Sequence, residues 1–299
     1  MMVWVNQLLQ GVLLGGYYAL IACGLSFMYG VMRIINLAHG SLAVLAAFAL
    51  FVLADQYGIS PFLGLLIVLP AMAVIGWLLY RGVLGRSLRG GLLLPLLSTF
   101  GLSIVIDNLL FQTFGADTRS LAPYIGSLSY DSWSITDDIF VGRLAALTFA
   151  AAVVILGGLQ VFMSRTSLGR AIRAVAEDAD TVGLVGIDAN RVNAIASAIA
   201  MVAVGIAGAF LAMRATFAPY SGATQLLFAF EATVIGGVGS LWGTLIGGIV
   251  LGVAQSLGAQ LHPQGFLIAG HAMFLIVLFA RLAATARGGR LSAWLGGIR

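Results

Sequence analysis

The chain has 299 residues, 61% of them apolar and only 9% charged, with a mean hydropathy of +1.05. A soluble domain carries about 25% charged residues, so these apolar runs belong in a membrane. All 15 basic residues are arginine, which removes the lysine of a phosphate-binding P-loop and any Schiff-base lysine. The net charge of +4 sits in gaps between apolar runs, a pattern of membrane topology and not of nucleic-acid binding.

Nine apolar segments follow one another, at about 5–30, 35–54, 61–80, 91–113, 140–163, 190–214, 222–238, 241–259 and 265–285. The segment 222–238 is short and ends in glycine, so eight or nine spans are expected. The fold class is all-α: a polytopic membrane protein with internally duplicated halves and broken helices, residues 1–299 forming one transmembrane domain. The first segment holds the only cysteine, Cys23, so no internal disulfide or cysteine-rich metal site is possible. The run Leu20-Ile21-Ala22-Cys23-Gly24 has a faint likeness to a lipoprotein cleavage site. No arginine precedes Arg33, however, and the segment is expected to be retained. The side on which the N-terminus lies is left open, since the first segment could be broken.

Between the first two segments, Asn36, His39, Gly40 and Ser41 interrupt apolar sequence. They read either as a tight cytoplasmic turn or as a helix break lining a solute path, because exposed backbone is tolerated only against protein or a water-filled cavity. Asp107, beside Asn108, lies deep in the fourth segment and is a candidate for a polar path or an interhelical pair. The gap 114–139 holds Arg119 against Asp117, Asp131, Asp137 and Asp138. Twelve other arginines fall in four groups: Arg33; Arg81, Arg86 and Arg89; Arg165, Arg170, Arg173 and Arg191; Arg281, Arg287, Arg290 and Arg299. Those groups are assigned to the cytoplasm, with the C-terminus, and 114–139 to the outside.

Residues 164–188 carry seven of the 26 charged side chains. Leu168, Ile172, Val175 and Ala179 make one helical face; Arg170, Arg173, Glu177, Asp178 and Asp180 decorate the rest. Thr166 or Ser167 can cap the start, and Gly183 and Gly186 follow the expected end. A solvated loop needs no apolar stripe, so this stretch reads as a short docking helix for a cytoplasmic partner. Further on, Arg33, Arg214 and Glu231 suit an interface, where snorkelling satisfies them. The run Gly236-Gly237-Val238-Gly239-Ser240 is the counterpart of the first break. Gly239, Gly243 and Gly247, with Gly248, Gly252 and Ser256 one step round, make a close-packing face.

The halves echo each other weakly. Gly40-Ser41-Leu42 recurs at Gly239-Ser240-Leu241, Ala71-Met72 at Ala272-Met273, and Arg81 at Arg281. Duplicated halves are common in transporters, with the substrate path between them, so both breaks are expected to approach that path. It would comprise Asn36, His39, Gly40, Ser41, Asp107, Glu231, Gly236, Gly237, Gly239 and Ser240. His39, His262 and His271 form no metal pattern, and Ser41 and Ser240 explain turns better than nucleophiles. No catalytic residue, metal or cofactor is expected. A self-sufficient secondary transporter or channel would need a coupling site, for which Asp107 and Glu231 are the candidates.

Three blocks carry a resemblance over nearly the whole length. The first is Gly11 to Gly40, with Tyr18-Ala19-Leu20-Ile21-Ala22 and Asn36-Leu37-Ala38-His39-Gly40. The second runs from Ser167-Leu168-Gly169-Arg170-Ala171-Ile172-Arg173 through Ala176-Glu177-Asp178 to Gly186-Ile187. The third is Gly236–Ser240 through Gly243 and Gly247-Gly248. In these blocks the chain resembles the LivH-type permeases of branched-chain amino-acid ABC importers. The resemblance implies that Gly169, Arg173, Ala176, Glu177, Gly183 and Gly186 belong to the surface coupled to an ATPase, with Arg170 and Asp178 beside them. It also implies a second homologous permease, two cytoplasmic ATP-binding subunits, a periplasmic substrate-binding protein and a place in the bacterial inner membrane. ATP hydrolysis would fall to the separate subunits. The tail Arg281-Leu282-Ala283-Ala284-Thr285-Ala286-Arg287 lacks a proline found in many such endings, and the second block lacks the Leu-Pro of the broader ABC-importer loop. Related permeases for urea, amides and aromatic acids look alike at these blocks, which leaves the solute open.

Overall fold

A computed structural model describes residues 2–91, 93–262 and 264–296, and of Arg89 and residues 285–296 the backbone alone. Arg299 and the side chains of Arg89, Arg287 and Arg290, all assigned above to one side, therefore lie outside the described residues. The elements run α1 Met2–Met32, α2 His39–Tyr57, α3 Pro61–Leu79, a π-helical turn Tyr80–Leu84, α4 Gly85–Ser87, α5 Leu93–Phe114, β1 Ser132–Thr136, β2 Ile139–Gly142, α6 Arg143–Arg165, α7 Ser167–Glu177, α8 Ala189–Arg214, α9 Gly222–Gly236, α10 Leu241–Leu261 and α11 Gly265–Gly296. Among the described residues, eight stretches are long and apolar enough to cross a membrane: α1, α2, Pro61–Ser87, α5, α6, α8, α10 and the first 20 residues of α11. The chain is a polytopic all-α membrane protein. At 15 residues α9 rises about 22 Å, short of a hydrocarbon core of about 30 Å.

Glycine decides how the central helices meet. On α1, a Cβ at Gly15 would stand 2.7 Å from the Ile249 nitrogen and 2.8 Å from the Gly248 oxygen; on α10, one at Gly252 would stand 2.6 Å from the Gly15 nitrogen. Backbone thus lies directly on backbone, the contact that only small residues allow in lipid. Gly243 and Gly247 turn the other way and pack on Gly236. Polar bonds fasten the α1–α10 seam: Ser256 Oγ donates to the Gln7 carbonyl at 2.8 Å, and the Tyr18 hydroxyl donates to Gln255 Oε1. Gly239 stands outside this face. It precedes α10 with φ +84°, and Ser240 caps the helix by accepting from the Gly243 N–H at 3.1 Å. The alanine- and glycine-rich α8 plays the matching role, lying against α1, α2 and α3.

The arginine groups share one end. Arg33 and Arg173 line one cavity, Arg33 lines a second with Tyr80 and Asn190, and Arg81 and Arg86 line a third with Tyr80 and Asn190. Arg281 donates to the Ile235 carbonyl at 2.8 Å, next to Gly237. Residues 115–142 gather at the other end, where the Tyr124 hydroxyl donates to Asp55 at 2.6 Å and Arg119 pairs backbone-to-backbone with Phe217. Because α1 is one unbroken helix, Met2 lies opposite Arg33. The loop at 115–142 contains an antiparallel hairpin, β1 with β2, so the fifth span starts at Arg143 and not at 140. Its strands pair Trp133 with Val141 and Ser134 with Phe140 around Asp137-Asp138, β-favouring residues about an acidic turn.

Candidate functional site

Two chain breaks enter the interior from opposite ends. After α1, Arg33 takes the left-handed conformation (φ +58°), and residues 34–38 turn back between the helices. His39, in the first turn of α2, reaches the Ile21 carbonyl through Nε2 at 2.6 Å. Ile21 lies 11 residues before the end of α1, about 16 Å along that helix. From the other end, residues 215–221 descend to Gly222, where α9 begins. Gly40 and Gly222 meet there with no room for a Cβ, and Ser41 lies against Gly222 as well. The starts of α2 and α9 therefore meet inside the bundle. Neither helix has a side-chain cap at its N-terminus.

Around this meeting point the polar groups converge. Asn36 is fully buried; its Oδ1 accepts from the Ala38 N–H at 3.0 Å, and its Nδ2 has no partner. Thr99 Oγ1 accepts from the Leu37 N–H at 3.1 Å. Nδ1 of the buried His39 is also unpartnered. The Ser41 hydroxyl faces the Asp107 carboxylate, whose Oδ1 is buried without a bond. One residue on, Asn108 is exposed and accepts from the Tyr220 hydroxyl at 3.4 Å. Thr99, Ser103 and Asp107 recur every four residues and give α5 a polar stripe. This chain covers little of α5, as its exposed Leu97, Phe100, Ile104 and Leu109 attest.

The glycine-rich break at 236–240 lies elsewhere. Gly237 (φ +100°) and Gly239 (φ +84°) turn the chain at the arginine-rich end, and Gly239 rests on Gly30 of α1. Gly30 is nine residues beyond Ile21, about 13 Å down the same helix. The structure thus brings Asn36, His39, Gly40, Ser41 and Asp107 together. It places Gly236, Gly237, Gly239 and Ser240 in a separate cluster, and the partner it gives the first break is Gly222. The sequence offered one signal for this, the glycine at the head of a short apolar segment.

Glu231 is not at an interface. Its side chain is 1% exposed within α9, and Oε1 meets His271 Nδ1 of α11 at 2.5 Å. Arg214, by contrast, does reach the surface, with its guanidinium 5.1 Å above the Tyr17 ring. Removing one partner of a hydrogen bond to a buried carboxyl leaves that group unanswered. His271→Ala is expected to cost about 1–3 kcal/mol, read as a lower melting temperature in detergent, and adding Glu231→Leu should recover part of it. Unchanged melting of His271→Ala would mean that the contact contributes nothing to the fold.

At the arginine-rich end, Thr166 caps α7 by accepting from the Gly169 N–H at 2.9 Å. Gly169 presses on Met163, where a Cβ would stand 2.7 Å from backbone atoms. Ile172 and Val175 are buried, and α7 packs on α1, α6 and α8. The apolar stripe therefore implies no partner: this chain covers Ile172 and Val175 itself, and Ala179 lies past the helix end, exposed. What faces outward is Arg170, Arg173, Glu177 and Asp178. Bonds from Thr181 and Asp180 hold the Asp178 carboxyl below the usual range. Ala176 is half-buried and, with Arg33, Arg173, Glu177, Gly30 and Gly239, lines a cavity of about 430 Å³. The turn Thr181–Val185 displays two large apolar side chains between Gly183 and Gly186 (φ +78°), which no periodicity in the sequence marks. Leu184 is 86% exposed and Val185 75%.

Residues 7–285 match the profile of a family described as branched-chain amino acid transport system / permease component. The chain belongs to that permease family. Over 288 residues it is 30% identical to the high-affinity branched-chain amino acid transport system permease protein BraD of Pseudomonas aeruginosa, covering 92% of this chain and 94% of BraD. It is 32% identical over 295 residues to LivH of Salmonella typhimurium, covering 92% of each. LivM of Escherichia coli is more distant, 25% identical over 282 residues, 88% of this chain and 66% of LivM. No solved structure matches. The protein is thus a multi-pass transport subunit, a permease component and not an enzyme.

Proposed function

We propose that this permease is one of two membrane subunits of an ATP-driven importer for branched-chain amino acids in a bacterial inner membrane. A second, homologous permease, two cytoplasmic ATP-binding subunits and a periplasmic binding protein complete the assembly. The observation that carries this reading is the loop 164–188: α7 is pinned to the permease's own core, and its charged face and the Leu184–Val185 pair point outward at the arginine-rich end. Arginine marks that end as cytoplasmic. The chain has no lysine, so a P-loop must lie on another subunit. Salmonella typhimurium has both a LivH and a LivM similar to this chain, in keeping with a paired permease. The polar stripe of α5 fits that pairing, since Asp107 and Asn108 are costly against lipid and acceptable beside a solute path between two subunits.

The packing supplies a route for coupling. A shift of α7 acts on α1 and α8, against which it lies. Those two helices hold the α2 start through Ile21–His39 and through Gly208 on Ala43. Displacement at the loop thereby reaches the first break, where solute would pass, and the partner ATPases bias that two-state arrangement.

Orientation and assembly are both measurable. In a Cys23→Ala background, Ser127→Cys is expected to react with an impermeant thiol reagent from outside, and Thr181→Cys only from the cytoplasm. Purified through a tag in mild detergent, the permease should bring down a second permease and a P-loop ATPase. Labelling at position 181 in sealed cells, or purification of the chain alone from its native membrane, would contradict the reading.

A further inference from the structure

We infer that Asp107 and the start of α2 recognise the two charged ends of an α-amino acid as it passes, the ammonium at Asp107 and the carboxylate at the helix start. This rests on the solute path proposed above and names the chemistry that the path selects. Asp107 offers a carboxylate oxygen that is buried and unbonded. Facing it through the Ser41 hydroxyl, α2 begins without a side-chain cap, so its first-turn N–H groups lack a side-chain acceptor. The second observation is Asn36. It is fully buried, bonded at Oδ1 to the Ala38 N–H, and leaves the Nδ2 of the same amide unpartnered at that helix start. Donors left over at the positive end of a helix that starts inside the bundle suit an anion, and a lone acid facing Ser41 of that helix suits a cation. A zwitterion carries both within one residue. Neutral urea or an amide would answer neither.

In the conformation described, Gly222 lies on Gly40 and Ser41 and closes the point from the end where residues 115–142 gather. Solute entry therefore requires the strap 215–222 to part from α2. Two glycines facing one another carry no side chains that must unlock first. Tyr220, 51% exposed on that strap and bonded to Asn108, gives the strap a contact on α5.

A merely structural Asp107 would serve only to hold Ser41, and asparagine would do that as well. The test uses the full complex with its binding protein in proteoliposomes. Asp107→Asn is expected to assemble but to lower ATP-driven leucine uptake roughly tenfold or more, the worth of a charge-assisted hydrogen bond, with Asp107→Glu closer to wild type. In a second arm, Asn108→Cys in a Cys23→Ala background is alkylated in the purified complex. Leucine should slow the reaction, and 4-methylpentanoate and 3-methylbutylamine, each lacking one charge, should not. Uptake by Asp107→Asn within about twofold of wild type, or equal protection by all three compounds, overturns the inference. If Asp107→Asn fails to assemble, the protection arm decides alone. Failure of the wild-type complex to import leucine would instead count against the proposed function.

Discussion

Replacing Gly15 by valine is expected to leave almost no permease that can be extracted as a single folded species. The α1–α10 seam is built from backbone atoms, and a Cβ at Gly15 would lie 2.7 Å from the Ile249 nitrogen and 2.8 Å from the Gly248 oxygen. Overpacking a core with side chains costs about 1–3 kcal/mol because those side chains can move aside. Here nothing flexible stands opposite. The helices must separate, and the seam's bonds, Tyr18 to Gln255 and Ser256 to Gln7, go with them. Gly158 of α6 is the control. A Cβ there meets nothing within 4 Å, so Gly158→Ala should be neutral or stabilise by up to about 1 kcal/mol through helix propensity. Size-exclusion profiles of the extracted variants give the answer. A normal profile for Gly15→Val would mean that the seam does not hold the fold.

The joint change Leu184→Asp and Val185→Asp is expected to abolish ATP-driven uptake while leaving insertion and melting intact. Both side chains are exposed, so the permease itself loses almost no packing, and exposed substitutions of this kind stay within about 0.5 kcal/mol. Any large effect must then come from a partner. An exposed apolar pair that follows the charged face of α7 in sequence, with Asp178 bonded to Thr181 in the same turn, has the make-up of an interface contact beside polar groups. Two new carboxylates at that contact are desolvated without counter-charge, which costs several kcal/mol and at least a hundredfold in assembly. Unchanged uptake would show that the turn is only a solvated corner and that coupling runs elsewhere.

The sequence revealed local features better than it revealed partners. Thr166 as cap, α7 and its stripe were legible because period and capping are properties of a few adjacent residues. Amphipathicity says that a face is buried but not by what, and the stripe that suggested a partner is covered by α1, α6 and α8. The first break was visible as polar residues among apolar ones. Its companion was marked only by Gly222 at the head of a short apolar segment, because Ala215-Thr216-Phe217-Ala218-Pro219-Tyr220-Ser221 reads as an ordinary loop and depth in the bundle leaves no local mark. Gly239 looked like part of the α10 packing face, yet its positive φ puts it in the turn before that helix. Glu231 looked like an interface residue because its partner, His271, is 40 residues away in sequence. The hairpin was hidden because Phe140 and Val141 run straight into the apolar sequence of α6.

The central claim is that ATP hydrolysed on partner subunits drives solute through this chain. The direct measurement is radiolabelled leucine uptake into proteoliposomes that hold the complex purified through this permease, with its binding protein outside and ATP enclosed. The account predicts accumulation that requires both ATP and the binding protein and persists when ion gradients are collapsed. Uptake that proceeds without ATP and stops when the proton or sodium gradient is removed would contradict it.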